Sequence, residues 1–341
     1  MTALRLVAAL ALLLLLLAGP SEAWIRLPAT TLATLPADTH NPEGIAVDRQ
    51  GQIYVTTFDV TRAGGPGDLL VFHHSGRLLR RVSVAGSSNL LLDLAFHPIT
   101  GALLVIDFGH QQVLTVDPRT GASTIFATIP GGTAAGPNVL TFDQAGNVYI
   151  SDSFQATIWR TGPGGGDPTA WVTDALLGTT GVPPFGANGL AFNNAGSTLF
   201  VCNTGDDTVV QIPVGPGGNA SAPSVFVNSV NGCDGLIVDD DDNLWIAANQ
   251  ADEIVVLNPA GKVIAKLGDF GGLDPRGAPR GLLFPASLVR SGPFIYVTNL
   301  SLDLRLFGLP QPVDAQWTAQ VRRHTISRIP ARIPPIPGLR R

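Results

Sequence analysis

A six-fold repeat runs through this chain of 341 residues and limits its possible folds more than any other feature. Most copies contain an apolar-x-apolar stretch, a turn with Asp or Asn and Gly, and a second apolar stretch that ends in small or polar residues. Apolar and other residues alternate on both sides of the turn, and this period of two is the signature of a β-hairpin. The copies begin at Pro42, Leu91, Pro137, Ala187, Cys233 and Pro285.

The spacing of the copies predicts the architecture. Aligned on their second residue, they are 49, 46, 50, 46 and 52 residues apart. Two further strand-like stretches follow each hairpin, for example residues 68–72 and 78–84. Repeats of this length with four strands are propeller blades. We therefore predict an all-β fold, a six-bladed β-propeller with four-stranded antiparallel blades around a central channel. Residues 24–35 or residues 317–329 would supply the strand that closes the ring.

The two ends of the chain differ from the repeat. Residues 1–23 combine a basic residue, an apolar run over 6–18 and a small-x-small sequence at 21–23, which is the pattern of a signal peptide. An uncleaved membrane anchor is the alternative, but the run is shorter than the ~20 residues that span a bilayer. We expect a secreted or periplasmic protein with one propeller domain over 24–329 and a flexible Pro- and Arg-rich tail over 330–341.

Composition argues against some classes of partner, but it does not decide whether the two cysteines form a disulfide. The net charge is −5, and no basic stripe is visible before the last twenty residues, so we expect no nucleic-acid partner. No later stretch is apolar for long enough to span a membrane. Cys202 and Cys233 lack the spacing of a zinc site, and they form either one disulfide or a pair of buried free thiols.

Polar residues stand at the same place in four of the six copies. The innermost strand of each propeller blade runs along the central channel, so residues at equivalent strand starts converge at one mouth of the channel. Two of these residues are apolar, Leu92 and Ala286, and four carry side-chain oxygen atoms: Glu43, Asn138, Asn188 and Asp234.

This set of oxygen donors predicts a metal site. Two unpaired carboxylates in one narrow space repel each other, and a hard divalent cation removes the repulsion. Calcium takes six to eight oxygen ligands, whereas the lack of Cys and His in the ring argues against copper and zinc. Other divalent cations, magnesium and manganese among them, are substitutes for calcium. The alternative without a metal is a water-filled channel in which the four residues cap their turns.

The order Glu, Asn, Asn, Asp, on the motifs PEG, PN, ANGLAF and DGL, resembles the family of senescence marker protein (regucalcin), gluconolactonase and luciferin-regenerating enzyme. The resemblance covers residues 38–300 and implies a six-bladed propeller with calcium in its channel. It implies that Glu43, Asn188 and Asp234 are metal ligands. It also implies that Asn138 contacts metal or substrate, and that Asp234 acts as base or nucleophile.

The expected function follows mainly from this resemblance. We expect a secreted calcium-dependent hydrolase of a lactone or related ester, in which the metal polarises the carbonyl group and Asp234 is the base or nucleophile. Gluconolactonase-like members have an arginine where this chain has Gly136, which argues against a sugar lactone as the small-molecule substrate. The alternatives are a non-catalytic NHL-like binding propeller with a structural calcium and a strictosidine-synthase-like lyase.

Overall fold

Six four-stranded antiparallel sheets follow one another along the chain in a computed structural model, which describes residues 25–309 and 315–335. The first strands of neighbouring sheets contact each other all the way round, and the sixth sheet contacts the first. The prediction of a six-bladed β-propeller is therefore confirmed. The predicted signal peptide, residues 1–23, lies outside the described residues, as do residues 336–341 of the predicted tail.

The first five blades each use four strands that are consecutive in the chain. The first blade has β2 (Pro42–Val47), β3 (Ile53–Thr57), β4 (Asp68–Phe72) and β5 (Leu78–Ser83). The second has β6 (Leu91–Phe96), β7 (Leu103–Asp107), β8 (Gln112–Val116) and β9 (Ser123–Thr128). The third has β10 (Pro137–Phe142), β11 (Val148–Asp152), β12 (Thr157–Gly162) and β13 (Gly165–Thr173). The fourth has β14 (Ala187–Phe192), β15 (Thr198–Asn203), β16 (Thr208–Pro213) and β17 (Ser224–Val227). The fifth has β18 (Cys233–Val238), β19 (Leu244–Ala248), β20 (Glu253–Leu257) and β21 (Val263–Leu267).

The sixth blade joins the two ends of the chain. Its strands lie in the order β24, β25, β26, β1, and β1 pairs antiparallel with β26 at the outer edge. Both candidate closing stretches therefore contribute a strand. The bounds are β24 (Pro285–Ser291), β25 (Phe294–Asn299), β26 (Thr325–Pro330) and β1 (Thr30–Thr34).

Little else is regular. A hairpin of β22 (Phe270–Leu273) and β23 (Pro279–Gly281) lies between the fifth and sixth blades, and α1 (Ala315–Thr318) is one short helix. Short 3-10 helices occupy Gly132–Ala134, Ala175–Leu177, Pro216–Gly218 and Leu304–Phe307. Over residues 25–309 and 315–335, no helix has the length and apolar character of a membrane-crossing segment.

The hairpin turns form as their Asp or Asn and Gly residues predict. In the first blade, Asp48 Oδ1 accepts hydrogen bonds from the backbone N–H groups of Gln50 (2.9 Å) and Gln52 (2.8 Å). Gly51 follows with φ +77°, a conformation that side chains disfavour. The acidic run over residues 239–242 is a turn of the same kind, because Asp239 Oδ1 accepts from the backbone of two residues that follow it.

Hydroxyl groups and one disulfide join neighbouring blades beside the channel. The hydroxyls stand at or just after the ends of second strands and donate to the backbone of the next blade's first strand: Thr56 to Leu92 O, Ser153 to Ala187 O, Thr204 to Cys233 O and Thr298 to Glu43 O. Cys202 on β15 and Cys233 on β18 are bonded to each other. Of the two cysteine alternatives, the structure therefore has the disulfide, and it anchors the strand that carries Asp234.

Candidate functional site

Two cavities mark the two ends of the central channel. A funnel of about 540 Å³ lies where the six first strands end and is lined by residues from β2, β6, β10, β14, β18 and β24. A smaller cavity of about 40 Å³ lies where these strands begin. The four polar residues that the repeat places at the starts of first strands lie at this smaller cavity.

The four polar ring residues meet in this smaller cavity. Glu43, Asn138, Asn188 and Asp234 all line it, and each is 3–5% exposed. They lie at the second position of β2, β10, β14 and β18, so the phase of the repeat brings together side chains that are far apart in sequence. Of the two apolar ring positions, Leu92 also lines the cavity, and Ala286 is buried in the same hydrophobic cluster.

A hydrogen-bond chain fixes the amide of Asn138. Its Nδ2 donates to Ser153 Oγ (3.0 Å), and the Ser153 hydroxyl donates to Ala187 O (2.7 Å). A hydroxyl has one proton, so Ser153 serves here as the acceptor for the amide N–H group. Asn138 Oδ1 is therefore left as a buried acceptor, and no described residue of the protein donates a hydrogen bond to it.

The neighbouring blade repeats the arrangement. Asn188 Nδ2 donates to Thr204 Oγ1 (2.9 Å), which in turn donates to Cys233 O (2.7 Å). Asn188 Oδ1 is likewise buried and has no hydrogen-bond partner within residues 25–309 and 315–335. A buried polar atom without a partner costs free energy, about 1–3 kcal/mol. Two such oxygen atoms in one cavity indicate a site built for an electropositive ligand.

The two carboxyl groups of the ring are held in a setting that disfavours their charge. Burial raises the pKa of Glu43 well above its usual range, and the negative charges of Asp234 and Asp93 add to the shift. Burial raises the pKa of Asp234 to about 7, although the side chains of Asn249 and Asn188 oppose the shift. Glu43 Oε2 has no partner, and no Lys, Arg or His lies among the described residues that line the cavity.

Asn249 is a site residue that the sequence analysis missed. Its Nδ2 donates to Asp234 Oδ2 (2.9 Å), and the side chain is buried and lines the cavity. The position is made possible by Gly232 (φ +65°), where an added Cβ would lie 1.9 Å from Asn249 Oδ1. A signal was available, because Asn249 directly follows the second strand of its hairpin, as Ser153 and Thr204 do.

Asp93 is a second missed residue, and it lies on the funnel side of the channel. Its Oδ2 accepts a hydrogen bond from the backbone N–H of Leu140 (3.0 Å), and burial raises its pKa to about 7. It lines the funnel and not the smaller cavity. Its influence on the site is electrostatic, through the pKa of Glu43.

The donor set of the smaller cavity fits a hard cation. Carboxylate and amide oxygens are the ligands that calcium takes in proteins, and about 40 Å³ has room for an ion and a few water molecules. No group of three or more His, Cys, Asp or Glu side chains that could hold a metal occurs among residues 25–309 and 315–335. Two of the four side chains that could bind a cation in the smaller cavity are amides. A cation site of this composition does not need three His, Cys, Asp or Glu side chains.

At Gly136, where the sequence analysis expects the resembled family to have an arginine, the neighbouring side chain is the aromatic ring of Phe154. An added Cβ at Gly136 would lie 2.6 Å from Cδ2 of Phe154. The Phe154 ring is therefore packed directly over the residue from which a longer side chain would have to extend.

Two family models match separate segments of the chain. Residues 183–268 match the model of the SMP-30/Gluconolactonase/LRE-like region, a segment that includes Asn188, Asp234 and Asn249. Residues 26–59, which include Glu43, match the model of the strictosidine synthase-like N-terminal region. No curated protein matches the chain.

Solved structures share the fold at low sequence identity. A calcium-binding protein, regucalcin, from Agrobacterium tumefaciens is 17% identical with a TM-score of 0.63, over 93% of this chain and 100% of that one. A luciferin-regenerating enzyme is 15% identical with a TM-score of 0.64, over 89% and 95%. A gluconolactonase from Xanthomonas campestris is 13% identical with a TM-score of 0.60, over 92% and 99%. The chain is thus a six-bladed propeller whose residues 183–268 match the model of the SMP-30/Gluconolactonase/LRE-like region, the family that the motifs at its strand starts resemble.

Proposed function

We propose that this chain is an exported, calcium-dependent hydrolase of a lactone or related ester. One observation carries the proposal: Glu43 Oε2, Asn138 Oδ1 and Asn188 Oδ1 are buried in one cavity, beside Asp234, with no hydrogen-bond partner in the part of the chain that the structure describes. The family region over residues 183–268 and the neighbours described as gluconolactonase and as calcium-binding regucalcin support it. Export is supported by the signal-peptide pattern of residues 1–23 and by the Cys202–Cys233 disulfide, a bond typical of oxidising compartments.

Glu43, Asn138, Asn188 and Asp234 would hold the cation. When bound, calcium supplies a positive charge that polarises the substrate carbonyl and stabilises the negative charge that develops on its oxygen. The hydroxyls of Ser153 and Thr204 keep the two amide oxygens turned to act as ligands, because each hydroxyl accepts from an amide N–H group and donates to a backbone carbonyl.

Asp234 would carry out the proton transfer. As general base it accepts a proton from a water molecule while the water oxygen bonds to the carbonyl carbon. The ester C–O bond then breaks, and the leaving alkoxide takes up the proton that Asp234 accepted. In the nucleophilic version, an Asp234 carboxylate oxygen attacks the carbonyl carbon and the ester C–O bond breaks, which leaves an acyl-aspartyl anhydride and an alkoxide. Water then hydrolyses the anhydride, which frees the acid and restores the Asp234 carboxylate, and the alkoxide takes up the proton that the water gives off. Asn249 positions the carboxylate for either route, through its hydrogen bond to Oδ2.

A hydrolysis panel tests the proposal. The purified protein is assayed with lactones, aryl esters and phosphotriesters, with 1 mM calcium (roughly the weakest Kd of extracellular calcium sites) and after exhaustive chelation. We expect turnover of at least one lactone or ester, lost with chelator and restored by calcium. Turnover that survives complete chelation would contradict the role of the cation.

Replacement of Asn249 by Leu tests the positioning role. Leu keeps the volume but removes the donor to Asp234, and a hydrogen bond to a charged group is worth about 1.5–3 kcal/mol. We expect kcat to fall by about 10- to 100-fold at saturating calcium, with a smaller change in KM. Asn249→Asp also removes the donor to Asp234 but places a second carboxylate in the cavity, so it should lower kcat as Asn249→Leu does and also tighten calcium binding. A kcat that stays unchanged in Asn249→Leu at saturating calcium would contradict the positioning role.

The size of the cavity favours a second candidate function. About 40 Å³ is enough for a cation and waters but not for a whole substrate, which also suits a structural calcium in a non-catalytic NHL-like binding propeller. This candidate predicts that calcium raises the melting temperature while no compound of the panel is hydrolysed. A strictosidine-synthase-like lyase has less support, because that family match covers only Glu43 among the four ring residues.

A further inference from the structure

We infer that the site selects an uncharged, apolar ester or lactone, whose aryl or alkyl group packs against a cluster of phenylalanines at the mouth of the cavity. This inference rests on the proposed function and names its substrate class. The phenylalanine cluster consists of Phe58, Phe108, Phe154 and Phe185.

The cavity admits only the reacting group of a substrate. Its volume of about 40 Å³ is close to that of a few water molecules, and the four residues proposed to bind the cation line it. The rest of a substrate must therefore lie outside, against the residues that continue the cavity wall. Among the described lining residues, Glu43 and Asp234 are the charged side chains, and both are among the four residues proposed to bind the cation.

The phenylalanine cluster continues from the cavity to the surface. Phe58 and Phe185 line the cavity. Phe108 packs edge-on against Phe58 (5.7 Å between ring centroids) and lies 6.5 Å from Phe185. Phe154 packs against both Phe108 (5.7 Å) and Phe185 (5.6 Å), and it is 48% exposed. A half-exposed ring that joins a buried catalytic cavity is a surface on which a planar or alkyl group can be buried.

Apolar residues that follow β25 also line the cavity. Leu300, Leu302 and Leu304 line it, and the chain continues into Leu306 and Phe307, which are 61% and 43% exposed. A polyhydroxylated substrate would meet few hydrogen-bond partners against these phenylalanines and leucines, and its desolvated hydroxyls would remain unpaired. Phe154 also packs over Gly136, where an added Cβ would lie 2.6 Å from Cδ2 of the ring, so no polar side chain extends from that position.

The test compares matched substrates and matched ligands. Dihydrocoumarin, an aryl lactone, is assayed against glucono-1,5-lactone with calcium present. Binding is measured separately by calorimetry with two lactams that are not turned over, dihydroquinolinone and gluconolactam. We expect kcat/KM for dihydrocoumarin to exceed that for the sugar lactone by at least about 10-fold, and dihydroquinolinone to bind more tightly than gluconolactam by a similar factor.

Phe154→Ala and Phe154→Leu locate the effect, with Ile99→Ala as the control. Ile99 is 63% exposed and lies in the β6–β7 turn, at the funnel end of the channel. Phe154→Ala should raise KM for dihydrocoumarin and weaken dihydroquinolinone binding by about 5- to 10-fold with kcat retained, Phe154→Leu should do so by less, and Ile99→Ala should change neither.

The outcomes separate the two proposals. If no lactone is hydrolysed but dihydroquinolinone still binds in a Phe154-dependent manner, the hydrolase is wrong and the apolar site stands. If lactones are hydrolysed but the sugar compounds are equal or preferred, the hydrolase stands and the apolar selectivity is overturned. Binding and KM that are unchanged in both Phe154 variants also overturn it, provided that circular dichroism shows both variants to be folded.

Discussion

Asp234→Asn is expected to lower kcat/KM for calcium-dependent lactone hydrolysis by about 10³-fold or more. A positioned general base contributes about 10²- to 10⁴-fold, and the substitution also removes one of the two negative charges in the ring. Asn retains an oxygen that can serve as a ligand, and it can still meet Asn249 at the position of Oδ2. The assay is therefore run at saturating calcium, with calcium affinity measured separately by calorimetry, so that lost catalysis is distinguished from lost metal.

Asp93→Asn is the matched control for this experiment. Asp93 is also an acidic residue of the channel whose pKa is raised to about 7 by burial, but it lines the funnel instead of the smaller cavity. Asn preserves an acceptor for the backbone N–H of Leu140. We expect kcat/KM within about fivefold of the unsubstituted protein. Equal losses in the two variants, or full activity of Asp234→Asn, would contradict the assignment of Asp234 as base or nucleophile.

The fold and the ring could be predicted because both depend on the phase of the repeat. Period-two patterning and near-constant spacing define the hairpins, and the same alignment places Glu43, Asn138, Asn188 and Asp234 at equivalent strand starts. No knowledge of loop conformation is needed for that step, since each residue is fixed by the strand that carries it.

What sequence reasoning missed lies outside the second position of each copy, on which the copies were aligned. Asn249 stands after a second strand, and its role depends on the room that Gly232 leaves beside it. The phenylalanine cluster is built from residues between strands, which meet through loop geometry that periodicity does not encode. The disulfide likewise required knowing that β15 and β18 place Cys202 and Cys233 in contact across neighbouring blades.

Calcium is expected to raise the melting temperature, and to raise it more at pH 8 than at pH 5.5. Burial raises the pKa of Asp234 to about 7 and that of Glu43 well above its usual range. Between their unfolded and folded pKa values, the folded protein binds more protons than the unfolded chain, so the free energy of unfolding falls as pH rises. Without calcium, the stability at pH 5.5 should therefore exceed that at pH 8, where the two carboxylates repel each other.

Calcium replaces these protons as the source of positive charge, so it binds more tightly once the carboxyl groups have lost them. At a thousandfold excess over Kd, ligand binding adds about 4 kcal/mol to the free energy of unfolding, which for a chain of this size corresponds to a shift on the order of 10 °C. Calorimetry in EGTA and in calcium, at both pH values, measures the shift.

Glu43→Gln distinguishes this cause from general ion effects. It removes one of the repelling charges, so in EGTA at pH 8 it should melt above the unsubstituted protein while responding little to calcium. A variant that melts lower in EGTA and keeps the full calcium shift would show that the ring is not where the cation acts.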